Sequence, residues 1–279
     1  MINDKERYLA DVKASADYIK ERIPESYTPE ILIVLGSGLG PLASDVEGPV
    51  SIPYTEIPGF PRSTVPGHEG KLLIGKLCGK DVFMMSGRFH YYEGYDTSVV
   101  TFYVRVMSLL GVKSMILTNA AGGIGEGMHP GCLMAINDHI SFFCESPLRG
   151  PNLDDFGPRF PDQSNVYDPE YLDIMNRCAE ELGIDLFNGI YAFCRGPQYE
   201  TPAEIQVLKL LGAGSVGMST VPEAIVASHC GMRVCAISCV TNLAAGLSGT
   251  PLNHLEVMEN AAKVSSACCA LVKRFITNI

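Results

Sequence analysis

No stretch of this 279-residue sequence reaches the ~20 consecutive apolar residues that a membrane-spanning helix needs, so no membrane partner is expected. The opening Met1-Ile2-Asn3-Asp4-Lys5-Glu6-Arg7 is polar and charged and lacks the apolar core of a secretory signal. Cysteine occurs ten times, but never as a CxxC pair. Cys78, Cys132, Cys144, Cys178, Cys194, Cys230, Cys235, Cys239, Cys268 and Cys269 are scattered, mostly through apolar runs. That spacing lacks the usual zinc-ligand pattern and any small disulfide framework. Buried free thiols in the reducing cytoplasm are expected, with no metal. Basic charge is also scarce: 21 Lys and Arg face 31 Asp and Glu, a formal net charge of −10. Such a balance disfavours nucleic acid as the main partner, yet allows a local cationic pocket for a small anion. No Gly-Lys-Ser/Thr follows the first glycine turn, so there is no Walker P-loop. The spacing GxGxG also misses the dinucleotide fingerprint.

What is present is an ample core, with 47% hydrophobic residues, and a regular alternation of elements. Asp4 to Ile23 carries Tyr8, Leu9, Val12, Ala16 and Ile19 at helical spacing. Ile31 to Leu35 reads as a buried strand running into Gly36-Ser37-Gly38-Leu39-Gly40. Lys71 to Lys76 and Asp81 to Met85 read as paired strands, and Ser98 to Leu110 as a helix. Ser114 to Leu117 and Cys132 to Ile136 read as strands. Glu145 to Tyr167 is a long loop rich in Pro, Gly, Asn and Asp, of the kind often used for binding. Beyond it, helices are expected over Asp168 to Leu182, Pro202 to Leu211, Pro222 to Cys230 and Asn253 to Phe275. Strands are expected over Gly189 to Cys194, up to Ser219, and over Val234 to Val240. Alternating strands and helices predict a layered α/β fold, its sheet helix-covered on both faces. No internal repeat or flexible linker is visible, so a single domain over residues 1–279 is expected.

Three segments carry chemistry. The glycine turn after Leu35 can offer backbone N–H groups and the Ser37 hydroxyl to an anion, or can simply be a tight connection. In Arg88-Phe89-His90-Tyr91-Tyr92, an extended backbone would put Arg88, His90 and Tyr92 on one side. Arg offers a fork of donors to phosphate, and His a pH-sensitive donor. Ser37, Asn119, Ser219 and Asn242 all lie at carboxyl ends of predicted strands, where open α/β sheets bind ligands. Each also suits a helix cap. Glu200 is placed to accept from a ring N–H, or to serve as a helix N-terminal charge. Met218 and His254 taken alone read as core and helix residues.

Together these segments resemble the trimeric purine nucleoside phosphorylase family over most of the chain, from about Ile31 to the last helix. The resemblance rests on Gly36 to Gly40, Val65-Pro66-Gly67-His68, Gly87 to Gly94, Thr118 to Gly123, Gly196 to Thr201, Val216 to Glu223 and Thr241-Asn242. It implies a mixed central sheet flanked by helices, a homotrimer, and no metal or organic cofactor. It assigns Ser37, Arg88, His90, Asn119, Ala120 and Ser219 to phosphate, with His68 on a nearby loop. Tyr92, Met218 and His254 match the ribose site, beside Val216 and Gly217. Glu200 and Asn242 match purine contacts, with Tyr199 stacking on the base. Phe160 matches an aromatic that reaches into the neighbouring subunit's site. The catalytic group so implied is His90, Glu200, Asn242 and His254. Two residues depart from the pattern: Tyr199 stands where Phe is frequent, and Arg195 where a small apolar residue is common.

The reaction so implied is attack of phosphate on the anomeric carbon of a purine nucleoside through an oxocarbenium-like transition state. Asn242 would bond the N7 and O6 edge of the departing base. Glu200, as an ionised acceptor, would suit the N1–H of hypoxanthine or guanine and oppose the adenine lone pair. Inosine and guanosine, or their deoxy forms, are therefore the expected substrates. A methylthioadenosine or xanthosine phosphorylase, a phosphate-independent nucleosidase and a non-catalytic nucleoside-binding protein are the other readings.

Overall fold

The computed structural model describes residues 2, 4–37, 39–64, 69–248 and 254–279, excepting the side chains of 254–258 and 261–263. Helix α1 (Lys5–Lys20) starts where the Asp4 carboxylate accepts from the Arg7 backbone N–H at 3.0 Å. It ends before the predicted Ile23. Strands β1 (Ile31–Leu35), β2 (Glu47–Pro53), β3 (Lys71–Leu77) and β4 (Lys80–Ser86) build one half of the sheet. Helices α2 (Thr97–Val100) and α3 (Phe102–Leu109) replace the single helix expected there. The break is at Thr101, whose hydroxyl donates to the Thr97 carbonyl at 2.8 Å, a bond that competes with a straight helical ladder.

The second half comprises β5 (Ser114–Gly123), β6 (Leu133–Ile140), β7 (Leu186–Phe193), β8 (Ala213–Gly217) and β9 (Arg233–Leu243). The helices are α4 (Pro169–Leu182), α5 (Pro202–Leu210), α6 (Val221–His229) and α7 (His254–Asn278). The strand order is β2-β3-β4-β1-β5-β8-β7-β6-β9, and β5 also pairs with β9. Parallel pairs (β1–β4, β1–β5, β5–β9, β6–β7, β7–β8) mix with antiparallel ones (β2–β3, β3–β4, β5–β8, β6–β9). The mixed sheet is therefore as expected. Its second half closes on itself, because β5, β8, β7, β6 and β9 form a ring of pairs. One core lies under α1, α3 and α6, a second under α4 and α7. A smaller cluster joins Ile205 and Leu208 of α5 to Ala213 and Val216 of β8.

Two local features aim the functional segments. A Cβ at Gly36 would sit 2.6 Å from the Thr118 carbonyl oxygen, so only glycine lets the turn after β1 lie against the end of β5. In β9 the register to β5 slips: Ala121 faces Val240, but Gly122 faces Asn242. Thr241 is the extra residue of this bulge. The Asn260 side chain of α7 donates to the Thr241 carbonyl at 2.8 Å. Bulges re-aim side chains, and this one precedes Asn242.

Candidate active site

The carboxyl ends of β1, β4, β5, β8 and β9 surround a cavity of about 520 Å³. Ser37, Arg88, His90, Tyr92, Asn119, Ala120, Tyr199, Glu200, Val216, Gly217, Met218, Ser219 and Asn242 all line it. The sequence-predicted site is thus brought together from positions spread over two hundred residues. His68 lies outside the described residues, as does the side chain of His254. Phe160 is 88% exposed and lines no part of its own chain's cavity.

One end of the cavity is dense with charge. Arg88 follows β4 and is 1% exposed. Its Nη1 donates to the Thr118 carbonyl at 2.6 Å and to Ser219 Oγ at 3.3 Å. Its Nε donates to Glu223 Oε1 at 3.2 Å. Burial alone would lower its pKa, but the Glu223 carboxylate together with Tyr103 and Tyr191 more than offsets this, so Arg88 stays charged. Phe89 points the other way, into a cluster with Tyr54, Phe60 and Tyr103. That much of the expected alternation is present. Beyond His90, however, the chain is not extended, since Tyr91–Glu93 form a single tight helical turn. Tyr92 reaches the cavity through that turn, and its ring stacks on His90 at 4.7 Å between centroids.

The same turn brings in a residue that the sequence reading gave no role. His90 Nδ1 lies 2.9 Å from Glu93 Oε1, and the Thr64 hydroxyl donates to Glu93 Oε2 at 2.6 Å. Burial pulls the Glu93 pKa up, but the hydrogen bonds from His90 and Thr64 outweigh it and hold the carboxyl at about 2. An ionised Glu93 fixes the His90 tautomer with its proton on Nδ1. The spacing His90-x-x-Glu93, a capping box around a short turn, was the available signal. Glu223 carried a similar one in Thr220-x-x-Glu223 at the start of α6.

The other end of the cavity is more open. The Glu200 carboxyl is pushed above its ordinary 4.5, chiefly by burial. The Cys194 thiol hydrogen-bonds to it, and burial followed by that carboxylate pushes the thiol up to about 12. Cys194 gave no signal in the sequence beyond its place at the end of β7. Tyr199 stands at the rim, 38% exposed. Gly196 has φ +64°, and a Cβ there would meet Met218 Sδ at 2.3 Å, so the loop bearing Glu200 packs directly on Met218. Asn242 is held at both ends of its amide: Thr241 Oγ1 donates to its Oδ1 and its Nδ2 donates to the Leu243 carbonyl, each at 2.9 Å. Arg195 points away from the cavity, and its Nε donates to the Phe143 carbonyl. It braces a turn on which Phe142 is 78% and Phe143 46% exposed.

Among the described residues, no group of three His, Cys, Asp or Glu side chains could hold a metal ion. No described helix is long and apolar enough to cross a membrane.

A family model described as the phosphorylase superfamily matches residues 30–277. Purine nucleoside phosphorylase 1 of Bacillus subtilis (strain 168) is 51% identical over 265 residues, covering 95% of this chain and 97% of that protein. Purine nucleoside phosphorylase of Mus musculus is 44% identical over 258 residues, covering 90% of this chain and 88% of its own. A Schistosoma purine nucleoside phosphorylase crystallised with hypoxanthine superposes with a TM-score of 0.91 at 40% identity, over 97% of each chain. With matches of this extent in sequence and in fold, the chain belongs to the phosphorylase superfamily and, within it, to the purine nucleoside phosphorylase family.

Proposed function

We propose that this protein is a pentosyltransferase that reversibly cleaves inosine and guanosine, or their deoxy forms, with inorganic phosphate, giving free base and pentose 1-phosphate. The observation that carries the proposal is one cavity with two chemically different ends. The Arg88 cation with His90 and the Ser219 hydroxyl suits an anion, and a carboxylate with an amide, Glu200 and Asn242, suits a purine edge. Phosphate bound by Ser37, Arg88, His90, Asn119, Ala120 and Ser219 attacks the anomeric carbon and offsets the charge of the oxocarbenium-like sugar. Tyr92 and Met218, between the ends, contact the sugar. Asn242 stabilises the departing base at N7 and O6, while Glu200 accepts from N1–H. Inorganic phosphate is the one co-substrate this scheme requires.

The decisive assay compares inosine, guanosine, xanthosine and adenosine with and without phosphate. Cleavage of the first two only when phosphate is present is expected. An undiminished rate in phosphate-free buffer would show a nucleosidase, and comparable kcat/KM for inosine and adenosine would sink the assigned base preference.

The exposed Phe142, Phe143 and Phe160 support a further element, a homotrimer in which Phe160 enters a neighbour's site. Light scattering at a trimer mass, together with a raised nucleoside KM in Phe160→Ala, is the expected result. The ten thiols, most of them buried, fit the cytoplasm.

A further inference from the structure

Glu223 lies behind the charged end of the cavity, and its two oxygens divide their partners. Oε1 accepts from Arg88 Nε at 3.2 Å and from the Tyr103 hydroxyl at 2.6 Å. Oε2 accepts from the Thr220 backbone N–H at 2.8 Å and lies 3.2 Å from Arg88 Nη2. Both side chains of the ion pair are 1% exposed. A helix cap needs only the bond to Thr220. The remaining partners are more than a cap requires, and a buried ion pair is costly unless its hydrogen bonds are satisfied.

Thr220 sharpens the point. Its φ is +71°, a conformation that β-branched residues rarely adopt. Glu223 holds its backbone N–H, and Asn119 Nδ2 donates to its hydroxyl at 2.9 Å. This strained turn carries Ser219, whose Oγ accepts from Arg88. One carboxylate thus ties the guanidinium to the turn that presents the serine.

We infer that Glu223 is a positioning residue for the phosphate nucleophile, locking Arg88 and the Ser219–Thr220 turn into a single arrangement. The inference rests on the assignment of Arg88 and Ser219 to phosphate. It differs from a role in folding alone, because it couples Glu223 to phosphate and not to nucleoside.

The test is Glu223→Gln, which keeps the side chain's size but turns one oxygen into an amide NH2 facing two donors. Losing hydrogen bonds to a charged group corresponds to roughly tenfold or more, so KM for inorganic phosphate should rise by that factor. KM for inosine should stay near the wild-type value. Ser219→Ala runs in parallel as the marker of the phosphate site. If Ser219→Ala raises the phosphate KM and Glu223→Gln does not, the inference about Glu223 fails alone. If neither does, the phosphate assignment fails and takes the inference with it. Should Glu223→Gln not fold, Tyr103→Phe carries the test, because it removes one donor from Oε1 and keeps the charge. A raised phosphate KM with unchanged inosine KM is expected there, and an unchanged phosphate KM overturns the inference.

Discussion

At the end of the cavity proposed for phosphate, Arg88 and Glu223 are sealed from water and hydrogen-bonded to each other, to Tyr103 and to the backbone of Thr118 and Thr220. At the end proposed for the base, Tyr199 is 38% exposed, and Glu200 has a thiol for a neighbour and a pKa raised by burial. The first end is buried, with its charged groups already bonded within the chain. The second retains contact with solvent and an ionisation poised to change. The contrast fits the proposed chemistry, in which one end takes an invariant anion and the other takes bases that differ at their edges.

The largest expected effect tests the sealed end. Arg88→Ala leaves the Glu223 charge buried without its partner, which costs about 3–5 kcal/mol of stability. A urea midpoint that moves by no more than an exposed pair would cost, about 1 kcal/mol or less, would erase the contrast. Next is Asn242→Ala, at the open end. Turnover of inosine should fall by about 10²–10³, while the denaturation midpoint moves far less than in Arg88→Ala. Near-normal turnover would remove Asn242 from the chemistry. Glu200→Gln should lower kcat/KM for inosine roughly tenfold and narrow the inosine-to-adenosine ratio, since an amide can also donate to the adenine N1 lone pair. Steady-state kinetics with both nucleosides reads this directly.

The pH response should separate the ends as well. The raised pKa of Glu200 means that its proposed acceptor role would be lost as pH falls toward a value above 4.5, so inosine kcat/KM should show an acid limb that Glu200→Gln abolishes. Glu93 behaves oppositely. Its depressed pKa contributes stability that is complete above 4.5 and lost only as pH falls toward about 2, so the end that holds Glu93 should keep its arrangement through that limb. An acid limb that persists in Glu200→Gln would assign it elsewhere. The smallest effect belongs to Tyr199→Phe. Its hydroxyl sits at the exposed rim, so kcat/KM should change by less than about threefold, in line with surface substitutions of ±0.5 kcal/mol.

Legibility in the sequence followed the same divide between local pattern and distant pairing. β1 was readable to the residue because Ile31–Leu35 is uniformly buried and bounded by glycine. β2 was not, because Glu47-Gly48-Pro49-Val50-Ser51-Ile52-Pro53 has two prolines and little buried surface, as suits an edge strand. β5 was read only to Leu117, since its last residues are Asn, Ala and Gly and owe their extended form to neighbours β8 and β9. At the site, residues at strand ends were found from position and family pattern. Glu93 and Glu223 escaped because their spacing also makes an ordinary cap, and only the fold shows what else each carboxylate touches.

The bulge at Thr241 also has a meaning for how the chain tolerates change. A strand has a period of two, so the extra residue makes β9 two half-strands in opposite phase. The first half serves the core, and the second serves the cavity. Were Thr241 to pair with Gly122 in an unbulged ladder, Asn242 would stand opposite Gly123 instead and turn toward the wrong face. A slip that flattened the bulge would therefore be an error of phase: every chemical group would still be encoded, and the one proposed to meet the departing base would be out of step with the rest.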